Sequence, residues 1–228
     1  MTRELVLGLS LFALSGLAPF ARAGTISLYN WAFNVDGTIF PKPGPLPTVP
    51  PVIFNTGSFD FSGGLGALTF AVAGPPGAHT VDIYLDHDLL AGTPASDLSA
   101  AVGTPASGEA WEIGVGKGAS LYAHFTTNSY TDVNNMAGPG DVATGLSFAF
   151  TTTAANPWGV ITLSVSTTAP ASGFYLHQWN TSGSTPTDIY ISASEVNSPT
   201  PEPSGILLFA TGLCGIAVWR QRAAVKHL

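Results

Sequence analysis

The densest cluster of groups able to do chemistry is Asp86-His87-Asp88, preceded by Asp82. In an extended chain successive side chains point to opposite faces, so Asp82, Tyr84, Asp86 and Asp88 share one face. Three carboxylates there are hard oxygen donors, and calcium is the metal they would hold. The twelve-residue loop of an EF-hand is absent. A second group of oxygen donors, Asp132, Asn134, Asn135 and Asp141, surrounds Gly138-Pro139-Gly140. Both groups equally suit an exposed strand end and a turn in which Asp and Asn cap their own backbone, and the missing loop pattern favours that plainer reading. Calcium at Asp82, Asp86 and Asp88 is the one cofactor the sequence offers; otherwise none is expected.

Other candidate chemistry is thinner. Glu109 and Glu112 flank Trp111, as a glycosidase carboxylate pair could, but a spacing of three is ordinary on a strand or loop. His79, His87, His124 and His177 lack the short ligand spacings of a zinc site. No Gly-x-Ser-x-Gly, phosphate-binding loop or His-Glu-x-x-His occurs. The expectation is no catalytic residue and no enzyme. Two alternatives remain: a polysaccharide-binding module, with or without calcium, and a carboxylate hydrolase, which requires Glu109, Glu112 or Asp86 to converge. Tyr29, Trp31 and Phe33 alternate like one face of a strand, and Trp111, Trp158 and Trp179 add flat apolar surface. Such rings more often fill a core than stack on sugar. Threonines at 126–127 and 151–153 lack the regular repeat that ice binding would need. Asn180-Thr181-Ser182 is a glycosylation triplet that arises readily by chance.

These residues must be carried by strands. The runs 25–35, 58–61, 65–73, 79–86, 142–152, 159–167, 173–179 and 187–193 are rich in β-branched and aromatic residues, and several alternate cleanly. Ile161, Leu163 and Val165 face one way, with Thr162, Ser164 and Ser166 facing the other. "ASLYAHF" (Ala119–Phe125) reads as a further strand. Asp36-Gly37, Gly63-Gly64, Gly74-Pro75-Pro76-Gly77, Gly138-Pro139-Gly140 and Asn156-Pro157 read as turns. "PKPGPLPTVPP" (Pro41–Pro51) cannot be an interior strand and reads as a stiff surface loop. The pattern predicts an all-β fold, an antiparallel β-sandwich of jelly-roll or immunoglobulin-like kind.

Between Gly24 and Ser198 lie two of the seven Lys and Arg residues and twelve of the fourteen Asp and Glu residues, a net charge of about −10. A surface of that sign repels phosphate backbones, so nucleic acid is not an expected partner. The one cysteine, Cys214, lies near the C-terminus. The central domain must therefore rest on packing and sheet hydrogen bonds without disulfides.

Both ends differ from this middle. Residues 1–23 carry Arg3, an apolar run from Leu5 to Ala18, and Ala21-Arg22-Ala23 before Gly24. That is the pattern of a secretory signal peptide with a cleavage site ending at Ala23. At the other end, Pro201-Glu202-Pro203 precedes an uncharged run from Gly205 to Trp219 and then Arg220 and Arg222. As a helix the run would reach about 22 Å, a modest deficit against a hydrocarbon core of about 30 Å. Trp219 suits the interface and the arginines can snorkel. The basic end should stay cytoplasmic.

This three-part end closely resembles the PEP-CTERM sorting signal of exported Gram-negative proteins, a tail also labelled an ice-binding-protein C-terminal segment. The resemblance covers about residues 200–225. It implies that an exosortase, an integral-membrane cysteine enzyme, reads Pro201, Glu202 and Pro203 and removes the helix, with Arg220 and Arg222 as the membrane stop. It also implies export through the translocon and signal peptidase, a transient inner-membrane anchor, and delivery to the surface or matrix in an exopolysaccharide and biofilm setting. The segments 81–89, 103–114 and 171–194 are similar to segments of β-rich PEP-CTERM proteins. The organisation expected is a signal helix (1–23), a β-sandwich domain (24–198) and a sorting signal with one transmembrane helix (199–228).

Overall fold

A computed structural model describes residues 26–90, 96–115, 119–131, 136–182 and 187–198. Residues 1–25 and 199–228, where a signal peptide and a sorting signal are expected, lie outside them, as do Asp132, Asn134 and Asn135. The strands are β1 (Ser27–Val35), β2 (Thr38–Pro41), β3 (Thr48–Val49), β4 (Val52–Asp60), β5 (Leu65–Ala73), β6 (Gly77–Asp88), β7 (Asp97–Val102), β8 (Glu109–Val115), β9 (Met136–Gly140), β10 (Val142–Thr152), β11 (Trp158–Ser166), β12 (Tyr175–Asn180) and β13 (Thr187–Ser198), with one helix, α1 (Ala119–Thr126). They form a smaller sheet in the order β2-β1-β6-β10-β8 and a larger one in the order β3-β4-β5-β11-β13-β12-β7-β9. Every pairing between these strands is antiparallel.

Period-two alternation builds the core. Val81, Ile83 and Leu85 of β6 and Leu146, Phe148 and Phe150 of β10 meet Leu68, Phe70 and Val72 of β5 and Ile161, Leu163 and Val165 of β11. Rings tie the layers: the Phe33 and Phe70 centroids lie 5.5 Å apart, and Phe33 and Phe54 5.1 Å. Each such side chain contributes roughly 1.5–3 kcal/mol by leaving water. The Asp36-Gly37 turn joins β1 to β2 with both residues at positive φ, 50° and 84°. That geometry gives a two-residue hairpin whose twist matches the strands.

Four expectations are corrected. Ala119–Thr126 is helical. Leu121 and Phe125 sit one turn apart and bury together, and eight residues are too few for alternation to decide between the two periods. Asn128, at φ 51°, stops the helix as a left-handed cap. Gly138-Pro139-Gly140 lies inside β9, which pairs only with β7 at the sheet edge, where proline leaves no ladder bond unmade. Thr48–Val49, within the proline-rich loop, forms the opposite edge. Finally, a register shift between Leu28 and Asn30 breaks the Tyr29-Trp31-Phe33 face: Trp31 and Phe33 are buried, while Tyr29 is 61% exposed.

Candidate functional site

α1 lies across the outer face of the smaller sheet. Leu121 and Phe125 bury against Ala32, Tyr84 and Ala143, so β6 is covered on both faces. Two polar links fasten the helix. Asn34 Nδ2 donates to the Phe125 carbonyl at 2.7 Å. His124 Nδ1 donates to both oxygens of Glu112, at 2.9 and 2.7 Å; the Glu112 side chain is 2% exposed and that of His124 38%. Tyr130 closes the layer. Its hydroxyl donates to the Ile83 carbonyl at 3.2 Å, and its ring occupies the space a side chain at Gly145 would need.

Asp82 sits in this layer between its register neighbours Asn34 and Ser147. Asn34 Oδ1 and both Asp82 oxygens are buried without a hydrogen bond of ordinary geometry. Burial pushes the Asp82 carboxyl up to about 6, and the nearby Ser147 hydroxyl only partly offsets that. Burial, then the charges of Asp82 and Glu112, drives the Tyr130 phenol well above its ordinary range. A buried carboxyl beside an amide oxygen, with no donor between them, is a place for a proton.

The calcium expectation fares differently from face to cluster. Asp82, Asp86 and Asp88 do share one face of β6 with Tyr84. They do not sit at an exposed strand end: Asp82 and Asp86 are buried in a central strand. Alternate strand residues stand roughly 7 Å apart, and among the described residues no three His, Cys, Asp or Glu side chains are grouped to hold a metal. Asp88 instead approaches Asp97 and Asp141. Burial, then the Asp141 charge, raises Asp88. Burial pushes Asp97 up to about 6, against hydrogen bonds from Asn180 and the Leu89 amide, and Asp88 and Asp141 raise it further. Asn180 is itself buried, bonded to Asp97 and Ser96, so the glycosylation triplet offers no free amide.

The histidines are dispersed. His79 bonds Asp36 at 2.7 Å and Thr152 at 3.0 Å. His87 lies in the core against the Gly64 carbonyl at 3.2 Å, and burial holds it down at about 4. His177 bonds Asp188 at 3.0 Å and stacks between Trp179 and Tyr190, with centroids 4.7 and 4.6 Å away. Threonines 126 and 127 donate to the Ala123 carbonyl at 2.8 and 3.0 Å, closing α1 rather than forming a flat array.

Glu109 and Glu112 lie on opposite faces of β8. Glu112 pairs with Gly145 and faces α1; Glu109 pairs with Phe148 and faces the space between the sheets. A residue that the sequence did not single out, Glu195 of β13, lines the same space. Both line a cleft of 490 Å³ with Phe148, Phe174 and Ala193. The signal was present but small: Ile189, Ile191, Ala193 and Glu195 keep one alternation, and the last breaks its apolar character.

The signal-cleavage residues Ala21, Ala23 and Gly24, the motif Pro201, Glu202 and Pro203, and Arg220 and Arg222 lie outside the described residues. Among the described residues no helix is long and apolar enough to cross a membrane. The geometry defines an all-β protein of two packed antiparallel sheets with a helix strapped over one of them. No protein-family model, curated protein or solved structure matches the chain.

Proposed function

We propose that the chain is an exported, non-enzymatic surface or matrix protein delivered by a sorting signal that another enzyme removes. In this reading signal peptidase cuts before Gly24. The C-terminal helix then holds the polypeptide in the inner membrane with Arg220 and Arg222 inside, and an exosortase cuts near Pro203. The structural observation that supports it is where the core closes. Among the described residues its buried members run from Leu28 to Ile191, all inside the span 24–198 that this reading takes as the mature domain. The domain itself reads as a sandwich of jelly-roll rather than immunoglobulin-like kind, because β1, β6, β10 and β8 are neighbours only through long crossovers.

Mass spectrometry of the product made in its own host tests this. The expected species starts at Gly24 and ends near Pro203, and P201A/P203A retains Leu228. Surface material that carries an intact Leu228 in the parent chain overturns the reading.

A second reading, a polysaccharide-binding module, is favoured by the row Trp179, His177, Tyr190 and Tyr175 on the outer face of the larger sheet. The inner rings of this row use their faces on each other, which leaves Trp179 at the end of the stack to meet a sugar.

A further inference from the structure

The layer beneath α1 holds three buried oxygens that lack a donor. Asn34 of β1 and Asp82 of β6 stand directly across from each other, where Cβ atoms on one face lie about 5 Å apart. Neither is exposed to solvent. Asn34 Oδ1 and both oxygens of Asp82 have no hydrogen bond of ordinary geometry. An ionised carboxyl can only accept, as an amide oxygen does, whereas a protonated one carries a donor. Acceptor beside acceptor, both stripped of water, is an arrangement that a single proton repairs.

Asn34 spends its nitrogen on the helix. Its Nδ2 donates to the Phe125 carbonyl at 2.7 Å, within the last turn of α1, and neither Asp82 oxygen receives it. Turned over, the same amide would give its nitrogen to an ionised Asp82 and set its oxygen against the Phe125 carbonyl. The two orientations therefore hold and release the end of the helix. Among the described residues, the other groups of this layer leave that proton unreplaced. Ser147 of β10, the second register neighbour of Asp82, is uncharged. Glu112 of β8 is taken by His124 of α1. Tyr130 and, on Asp82's own face of β6, Tyr84 are driven above the ordinary phenol range, chiefly by burial. Tyr122 of α1 packs edge-on against Tyr84, and Asp86 lies further along the same face of β6.

We propose that Asp82 and Asn34 form a protonation latch for α1. With the proton on, Asp82 donates to Asn34 Oδ1 and the amide holds the Phe125 carbonyl. With the proton lost to solvent, the amide turns its nitrogen to the carboxylate and the strap is freed to lift. Lifting uncovers an apolar surface made of Leu121 and Phe125 on the helix and Ala32, Tyr84 and Ala143 on the sheet. Burial sets where the change falls, because it holds the Asp82 proton up to about 6. The strap is therefore firmest below the ordinary carboxyl range and weakens as pH rises through 6.

Hydrogen exchange of the full chain in mild detergent, at about pH 5 and about pH 8 and corrected for intrinsic rates, tests this. Amides of α1 should exchange about 10-fold faster at the higher pH relative to those of β11 in the same molecules, a readout that needs no variant. In D82N, whose amide donates to Asn34 Oδ1 at every pH, that ratio should stay within about 2-fold. D97N alters a carboxyl of the same pH window on the other sheet, and it should respond like the parent. An α1 rate that does not change with pH overturns the latch. So does a response that survives D82N, as loss of the His124–Glu112 pair alone would give, or one that D97N abolishes. Calcium chloride that restores slow exchange at the higher pH does the same, since a metal would then be the missing partner.

Discussion

Asp82 carries the sharpest consequence of a single side chain. Its carboxyl rises from 3.8 to about 6, chiefly through burial. Below pH 4 the group is protonated in both the folded and unfolded chain, so burial adds no penalty. Between about pH 4 and 6 the unfolded chain releases the proton while the folded chain keeps it, and stability falls as pH rises. Above 6 the cost is complete, at about 3 kcal/mol for a shift of this size. Asp97 acts in the same window and direction. His87 opposes them: held down at about 4, it costs stability as pH falls from 6.5 toward 4. The parent profile therefore mixes opposed slopes, and the difference between variants isolates Asp82. D82N, whose amide can donate to Asn34 Oδ1, should match the parent near pH 4 and exceed it by about 3 kcal/mol at pH 7. Urea unfolding at both pH values measures this, and a pH-independent difference would sink the assignment.

The strands and the one helix show what a single sequence reveals. Clean alternation over nine or more residues placed β5, β10 and β11 closely, because one buried face fixes both register and identity. The helix was hidden because Leu121, Ala123 and Phe125 fit a period of two while Leu121 and Phe125 also fit a helical turn. Covering β6 then overturned the reading of its acids: Asp82 and Asp86 look like an exposed polar face until something lies across them. Glu195 stayed unseen because the cleft it lines is shared with residues of β8 some eighty positions away, on another sheet, and no local pattern carries that juxtaposition. The strap itself is testable. Phe125 is fully buried and Tyr122 is 38% exposed. F125A should cost about 3–5 kcal/mol, in the range of buried Phe truncations, and Y122A well under half of that. Guanidinium unfolding of both variants decides it; equal losses would mean that α1 is not docked through its Leu121–Phe125 face.

Considered whole, the chain is a highly acidic, disulfide-free domain between two segments of different character. Residues 24–198 are about 175 in number, long enough to bury roughly 70% of their unfolded surface, and the buried core of the described residues lies inside them. A net charge near −10 over that span works against compactness through self-repulsion, and the described chain supplies one lysine to answer it. Two consequences belong to the molecule rather than to any residue. Produced alone, residues 24–198 should unfold in one cooperative transition within about 2 °C of the full chain at matched salt, since every described core residue lies inside that span. Raising sodium chloride from about 10 mM to about 0.3 M, which shortens the screening length from about 30 Å to under 10 Å, should raise that midpoint, because like charges outnumber pairs. Calorimetry of the trimmed and full chains reads both. A trimmed chain that melts without cooperativity would show that an end segment is part of the fold, and the sorting reading would then lose its structural support.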